Sequence, residues 1–181
     1  MRNATESMQP TFTLADPIAH RAALLALNLE YMQWVGAGIE QAFGPSPLEL
    51  HGMPLPDYVA AMLAKLCAEG PPRGVFYLVE SGGALAGMGG LRRLRDDVAE
   101  IKRLYVRPQA RGAQLGAAIL QRLLADAARF GYRRVLLDSA PFMQAAQRLY
   151  ERAGFVDCAP YAESEVPAAL HGGWRFMERA L

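Results

Sequence analysis

The stretch Leu104-Tyr-Val-Arg-Pro-Gln-Ala-Arg-Gly-Ala-Gln-Leu-Gly116 reads as the end of a β-strand, a sharp turn and the start of a helix. Such a junction presents several unpaired backbone N–H groups at the positive end of a helix dipole, an arrangement that suits a pyrophosphate. Gly112 and Gly116 would let a phosphate approach the backbone with no Cβ in the way. On its own, a glycine ahead of a helix is more often a turn or a packing site.

Outward from this junction the chain alternates between strand and helix texture. Upstream, Val98 to Val106 forms the strand that runs into it. Before that strand, Val75 to Glu80 and Leu85 to Leu94 flank Ser81-Gly82-Gly83, as in a hairpin. Downstream, a helix is expected from about Ala113 to Phe130. Its Gly116, Leu120, Leu123, Ala127 and Phe130 fall on one face, and Gly131 follows as a C-terminal cap. Arg134 to Asp138 reads as a short buried strand and Phe142 to Arg152 as a further helix ended by Gly154. The last two strands are expected to begin near Phe155 and to span Trp174 to Glu178.

The N-terminal third is helical in character. Met1 to Pro10 is polar and expected to fray, and Thr11 to Leu14 is a short first strand. Asp16-Pro17 reads as a helix start, with Asp as cap and Pro in the first turn. A long or broken helix extends from His20 to Phe43. Gly44 to Pro56 reads as a loop, and Asp57 to Glu69 as a second helix. No repeat, low-complexity tract or linker interrupts the 181 residues, so residues 1–181 are expected to form a single α/β domain. Its order is β-α-α-β-β-β-α-β-α-β-β: an α+β mixed sheet with helices on both faces.

Composition narrows the function classes. A hydrophobic content of 52% with 20% charged residues supplies one sizeable core, the opposite of a disordered balance. A net charge of +1 argues against a nucleic-acid partner. Two distant cysteines, Cys67 and Cys158, and three scattered histidines form no metal-ligand spacing, so no metal is expected. Neither a signal peptide nor a run of about eighteen apolar residues is present, so a cytoplasmic location with no membrane partner is expected. The apolar first helix can be read as core or as the interface of a homodimer.

Two segments together bring in a family. Arg111 to Gly116 resembles the acetyl-CoA-binding motif Arg/Gln-x-x-Gly-x-Gly/Ala of the GNAT superfamily of N-acetyltransferases, with Val106-Arg107-Pro108 as a usual lead-in. Gln114 stands where the middle glycine is expected, which implies a less open loop. About forty residues on, Ala146-Gln-Arg-Leu-Tyr150-Glu-Arg-Ala-Gly154-Phe155 resembles the family's Ala-x-x-Leu-Tyr-x-x-x-Gly-Phe segment. Family members often carry Asn three residues before this alanine; Met143 occupies that place.

The resemblance implies a GNAT-like acyl-CoA N-acyltransferase fold with a splayed central sheet, the coenzyme entering between the strand that carries Glu100 to Val106 and the strand ending at Asp138. It implies acetyl-CoA as co-substrate and direct attack by a primary amine in a ternary complex. Tyr150 would protonate the departing thiolate, a role that suits a phenol protonated at neutral pH. Leu104 and Val106 would bind the coenzyme through the strand backbone. Arg111, Gly112, Ala113, Gln114, Leu115 and Gly116 would hold the pyrophosphate.

Attack needs a neutral amine, so a carboxylate or a water must take a proton. Glu100 sits six residues before Val106, where the histone-acetylating branch of the family has its glutamate base. By two-residue alternation Glu100, Lys102, Leu104 and Val106 would share one strand face. The plainer reading of Glu100 is a strand carboxylate paired with Lys102 or Arg103, which would lower its pKa. The acceptor pocket is expected from Gly44 to Pro56 and from Ala159 to Trp174, with room for a small-molecule amine or amino acid. The rival on the same fold is a non-catalytic acyl-CoA-binding sensor, made thinkable by Gln114 and Met143.

Overall fold

The computed structural model describes residues 9–181; residues 1–8, most of the segment expected to fray, lie outside the described part. A seven-stranded sheet runs in the order β1-β2-β3-β4-β5-β7-β6. Its strands are β1 (Thr11–Leu14), β2 (Val75–Ser81), β3 (Ala84–Arg95), β4 (Val98–Val106), β5 (Arg134–Ser139), β6 (Val156–Asp157) and β7 (Arg175–Ala180). The helices are α1 (Arg21–Phe43), α2 (Pro47–His51), α3 (Leu55–Leu66), α4 (Leu115–Arg129) and α5 (Gln144–Arg152).

Apolar residues on alternate positions of the strands build two layers. On one face Val75, Tyr77, Val79, Leu91, Ala99 and Ile101 pack under Leu115, Ile119, Leu120 and Leu123 of α4, with Tyr150 of α5. On the other, Phe76, Leu78, Met88 and Tyr105 meet Leu24 and Leu27 of α1 and Leu63 of α3. Helix α4 rests directly on the backbone of β3. A Cβ on Gly89 would stand 2.7 Å from Ile119 Cγ2, closer than packed atoms tolerate.

Three expectations are corrected. Asp16 does cap a turn, its Oδ1 accepting from the N–H groups of Ile18 and Ala19 at 2.8 and 2.7 Å. That turn is the four residues 17–20, and α1 begins only at Arg21. Within the expected loop Gly44 to Pro56, Ser46 and Glu49 form a reciprocal capping box, which stabilises the short helix α2. The third correction concerns β4, and it shapes the site.

Strands β3 and β4 pair regularly from Arg93↔Ala99 to Gly90↔Lys102 and resume at Met88↔Tyr105, so Arg103 and Leu104 lie opposite the single residue Gly89. This is a β-bulge, and Arg103 there has φ +53°, the left-handed region that non-glycine residues rarely enter. The extra residue shifts the alternation by one. Ala99 and Ile101 therefore share the α4 face with Leu104 and Val106. Glu100 and Lys102 lie on the opposite face, toward α3, against the expectation of a common face.

Candidate functional site

The centre of the sheet parts at this bulge. β4 and β5 are the sheet's parallel pair and match only over Val98↔Arg134, Ala99↔Val135 and Glu100↔Leu136. Beyond Glu100 the two strands diverge, and the β4 amides directed toward β5 lose their strand partner.

One cavity opens from the divergence toward α4 and α5, with a volume of about 470 Å³. Leu104, Val106, Arg111, Gly112, Gln114, Leu115 and Gly116 form one wall; Trp34, Phe142, Met143, Ala146 and Leu149 face them. The sequence-predicted coenzyme residues thus come together, except that Ala113 is not part of the lining. At the loop, Gly112 has φ +90° with nothing within 4 Å of where a Cβ would stand. Gln114 has φ +56° as the N-cap of α4, and its side chain makes no cap bond. The position at which the motif resemblance expects glycine is therefore left-handed. Glutamine holds that backbone at a cost of roughly 1–2 kcal/mol. The first-turn N–H groups of the 15-residue α4 face the loop without an acidic side chain beside them. This cradle fits a pyrophosphate.

A second cavity, about 240 Å³, opens on the α1 side. Leu50 and His51 from the capped helix line it, as do Glu165, Val166, Leu170 and Trp174, so residues of both segments expected to build an acceptor pocket line one cavity. Ile101, Lys102, Arg103 and Asp138 form its floor, and Tyr31 its wall. Trp34 packs edge-on against Phe142 and tilted against Tyr31, an aromatic partition between the two cavities.

Tyr150 is buried near Tyr31 and Asp138 and, like Glu100, is not part of the lining of either cavity. Burial, with smaller contributions from Tyr31 and the Asp138 carboxylate, pushes its pKa well above the ordinary phenol value. It therefore stays protonated at neutral pH. Glu100 is placed differently from the expectation. Its side chain is fully buried, and it lines neither cavity. Arg92 Nε and the Tyr161 hydroxyl each donate to it at 2.5 Å, and Lys102 Nζ lies 3.8 Å away. Burial raises its pKa, outweighing the pull of Lys102, Arg92 and Tyr161. The expected lowering by basic neighbours is thus overridden by desolvation.

Four residues of the site escaped the sequence reading: Asp138, Tyr31, Arg103 and Trp174 in its bonded role. Asp138 is the last residue but one of β5, at the mouth of the divergence. Trp174 Nε1 donates to its Oδ1 at 2.9 Å, and Lys102 Nζ lies 3.7 Å from Oδ2. Lys102 is shared among Asp138, Glu100 and Glu165. A strand pattern shows where a sheet ends; it does not show that a strand-end aspartate faces a cavity.

Comparison with known proteins follows the same lines. A model of the acetyltransferase (GNAT) family matches residues 37–155. An uncharacterised N-acetyltransferase of Schizosaccharomyces pombe is 32% identical over 104 residues, covering 56% of this chain and 64% of its own. The chain thus spans less than two thirds of that relative's length. An IAA acetyltransferase of Azospirillum brasilense is 30% identical over 108 residues, 59% of this chain and 67% of its own. Among solved structures, an acetyltransferase from Streptococcus agalactiae shares the fold with a TM-score of 0.71 at 17% identity, over 95% of this chain and 98% of that one. A Salmonella typhimurium protein solved with acetyl-CoA does so with a TM-score of 0.61 at 20% identity, over 96% and 94%.

Proposed function

The chain belongs to the acetyltransferase (GNAT) family, and from that premise we propose that it is an N-acetyltransferase moving an acetyl group from acetyl-CoA to the primary amine of a small molecule. The observation that carries this reading is the divergence of β4 and β5 past Glu100↔Leu136, with a glycine cradle and α4 on one side and a small polar cavity on the other. The shared boundary of the two cavities lets two substrates meet for direct transfer in a ternary complex.

Acetyl-CoA, when bound, supplies the activated acyl group. The amides of residues 112–116 and the N-terminus of α4 hold its pyrophosphate, with the Arg111 guanidinium close by. The unpaired β4 backbone at the Leu104 to Val106 level offers preorganised donors to the reacting carbonyl. Tyr150 presents its proton toward the departing sulfur. Its raised pKa keeps it protonated as a hydrogen-bond donor to that sulfur and makes it a reluctant proton source, because an ordinary thiol titrates near 8.5.

In this proposal the amine's proton goes to Asp138, directly or through one water. Asp138 lines the acceptor cavity, keeps lone pairs beyond its bond to Trp174, and lies close enough to Tyr150 for its charge to act on the phenol. Glu100, with both oxygens engaged, is a positioning residue. It holds Arg92 and Tyr161, and through Arg92 the segment that carries Glu165.

The first test is a thermal melt with and without saturating acetyl-CoA. Ligand at a hundred times its Kd stabilises by about 2.7 kcal/mol, which raises the midpoint of a domain this size by roughly 5–10 °C. No shift at millimolar coenzyme removes the proposal. A shift without coenzyme release from any amine leaves the binding-only module in its place.

A further inference from the structure

The floor of the acceptor cavity carries two cations that are treated very differently by their surroundings. Lys102 is compensated, with carboxylates of Glu100, Asp138 and Glu165 within 3.8 Å. Arg103 has no carboxylate within ion-pair distance among the described residues. Its Nη1 donates to Asn28 Oδ1 at 3.0 Å, and its guanidinium carbon lies 5.8 Å from the Tyr31 ring centroid.

Both partners are neutral, and one of them is costly to supply. Asn28 is fully buried in the middle of α1, where its amide also donates to Leu24 O at 2.9 Å. A buried asparagine disfavours a helix interior unless its amide is used. The backbone under Arg103 is held in the left-handed region by the bulge, and non-glycine residues in that region cluster at functional sites. Burial weakens the hold of the guanidinium on its proton, outweighing the opposing pull of Tyr31, Tyr58 and Glu165, none of them an ion-pair partner. Three features thus aim one planar donor fork into a small cavity and leave it, among the described residues, without an anion at ion-pair distance.

We propose that Arg103 binds a carboxylate of the acceptor, so that the substrate is an amino-carboxylate. The anionic end would sit on Arg103, with Tyr31, His51 and Tyr58 around it, and the amino end would point to Asp138. The stacked His51–Tyr58 pair, 3.9 Å between centroids, closes the far wall of this half of the cavity. His51 adds no competing charge there: burial and the Arg103 guanidinium lower its pKa, so it is neutral at pH 7. Arg103 and Asp138 both line this cavity and both act on the Tyr31 phenol, so a cation and an anion face the same space. The cavity volume of about 240 Å³ is on the scale of a small zwitterion. The inference deepens the acetyl-transfer reading and rests on it for the word substrate; the anion site itself does not.

The experiment compares free L-amino acids with their C-terminal amides, which keep the amine and lose the carboxylate. Coenzyme release is measured at saturating acetyl-CoA. The acids should have kcat/KM about 10- to 100-fold above their amides, the range of one charged hydrogen-bonding pair. Arg103→Gln should abolish that preference by raising KM for the acids with little change for the amides, and Arg103→Lys should restore part of it. Binding is followed separately, without coenzyme, by Trp174 fluorescence in a Trp34→Phe background. Saturable binding of acids without any transfer would leave the anion site standing and remove the acetyl-transfer reading. Equal or better use of amides, or no binding of any amino-carboxylate to the folded protein, would overturn the proposal.

Discussion

Replacing Glu100 separates a structural from a catalytic role, because the two predict opposite patterns. Glutamine keeps the shape of the side chain. Its oxygen can still accept from Arg92 Nε, and its NH2 can face the Tyr161 hydroxyl, which can turn to accept. What is lost is the charge in two bonds of 2.5 Å at a fully buried side chain. Arg92, about a quarter exposed and also bonded to Glu165 at 3.0 Å, recovers some hydration and keeps one anion. The loss should therefore be about 1.5–3 kcal/mol, the range for a hydrogen bond to a charged group. In a domain of this size that lowers the melting midpoint by about 3–12 °C. Glu100→Ala also leaves a void and an unanswered guanidinium, and should cost about 3–5 kcal/mol. The assay is a thermal melt at pH 7.5, paired with turnover at 15 °C where each variant is folded. Glu100→Gln should retain kcat within about tenfold. A general base would instead cost 10²–10⁴ in rate, roughly, without a necessary change in the midpoint. Unchanged melting with turnover lost by that factor would refute the positioning role and return Glu100 to the chemistry.

Tyr150→Phe should lower kcat by about 10²-fold while the melt and the acetyl-CoA shift stay near wild type, checked by coenzyme release and by thermal shift. Asp138→Asn should lower kcat at neutral pH and leave coenzyme binding intact; an unchanged pH–rate profile would point to another proton acceptor. Gly112→Ala places a Cβ on a backbone with φ +90° and should cost about 1–2 kcal/mol, with weaker acetyl-CoA binding by titration. Glu165 supplies a pH dependence. Burial alone would raise its pKa, but Lys102, Lys65 and Arg92 carry it down to about 2. A depressed carboxylate adds stability above its unfolded value near 4.3, roughly, and loses it as pH falls. Acid melts should show that loss between about pH 4.5 and 2, and Glu165→Gln should flatten it.

Much of the architecture was legible because it rests on local patterns. The helix face through Leu120, Leu123 and Ala127 needed only a period of 3.6, and the hairpin around Gly82-Gly83 needed only its turn residues. The glycine loop and Tyr150 were legible through two motifs, neither decisive by itself. What was not legible depended on contacts distant in sequence. Arg92 and Tyr161 seal Glu100 from eight and sixty-one residues away, so the carboxylate that looked reactive in β4 is buried. The capping box of Ser46 and Glu49 could have been found, since a serine followed three residues later by glutamate is its signature. The strand-end position of Asp138 against a cavity carries no comparable local signal.

The bulge at Arg103 explains why a strained residue sits at the centre of the sheet. Without it, alternation would keep Leu104 and Val106 on the α3 side with Glu100, and the α4 side of the divergence would lose its apolar wall. With it, one inserted residue turns Leu104 and Val106 toward the coenzyme cavity and takes residues 103 and 104 out of the ladder with β3. The same insertion aims the Arg103 side chain into the acceptor cavity. A regular strand, whose side chains alternate strictly, could not serve both sides in this order. The left-handed φ at Arg103 thus accompanies the bulge by which one strand lines two cavities on opposite faces. Its replacement by glycine should relax the backbone, spare the coenzyme shift and remove acceptor discrimination. A Tm that falls sharply in Arg103→Gly, with the bound-coenzyme shift lost, would show instead that the guanidinium and its bond to Asn28 hold the bulge in place.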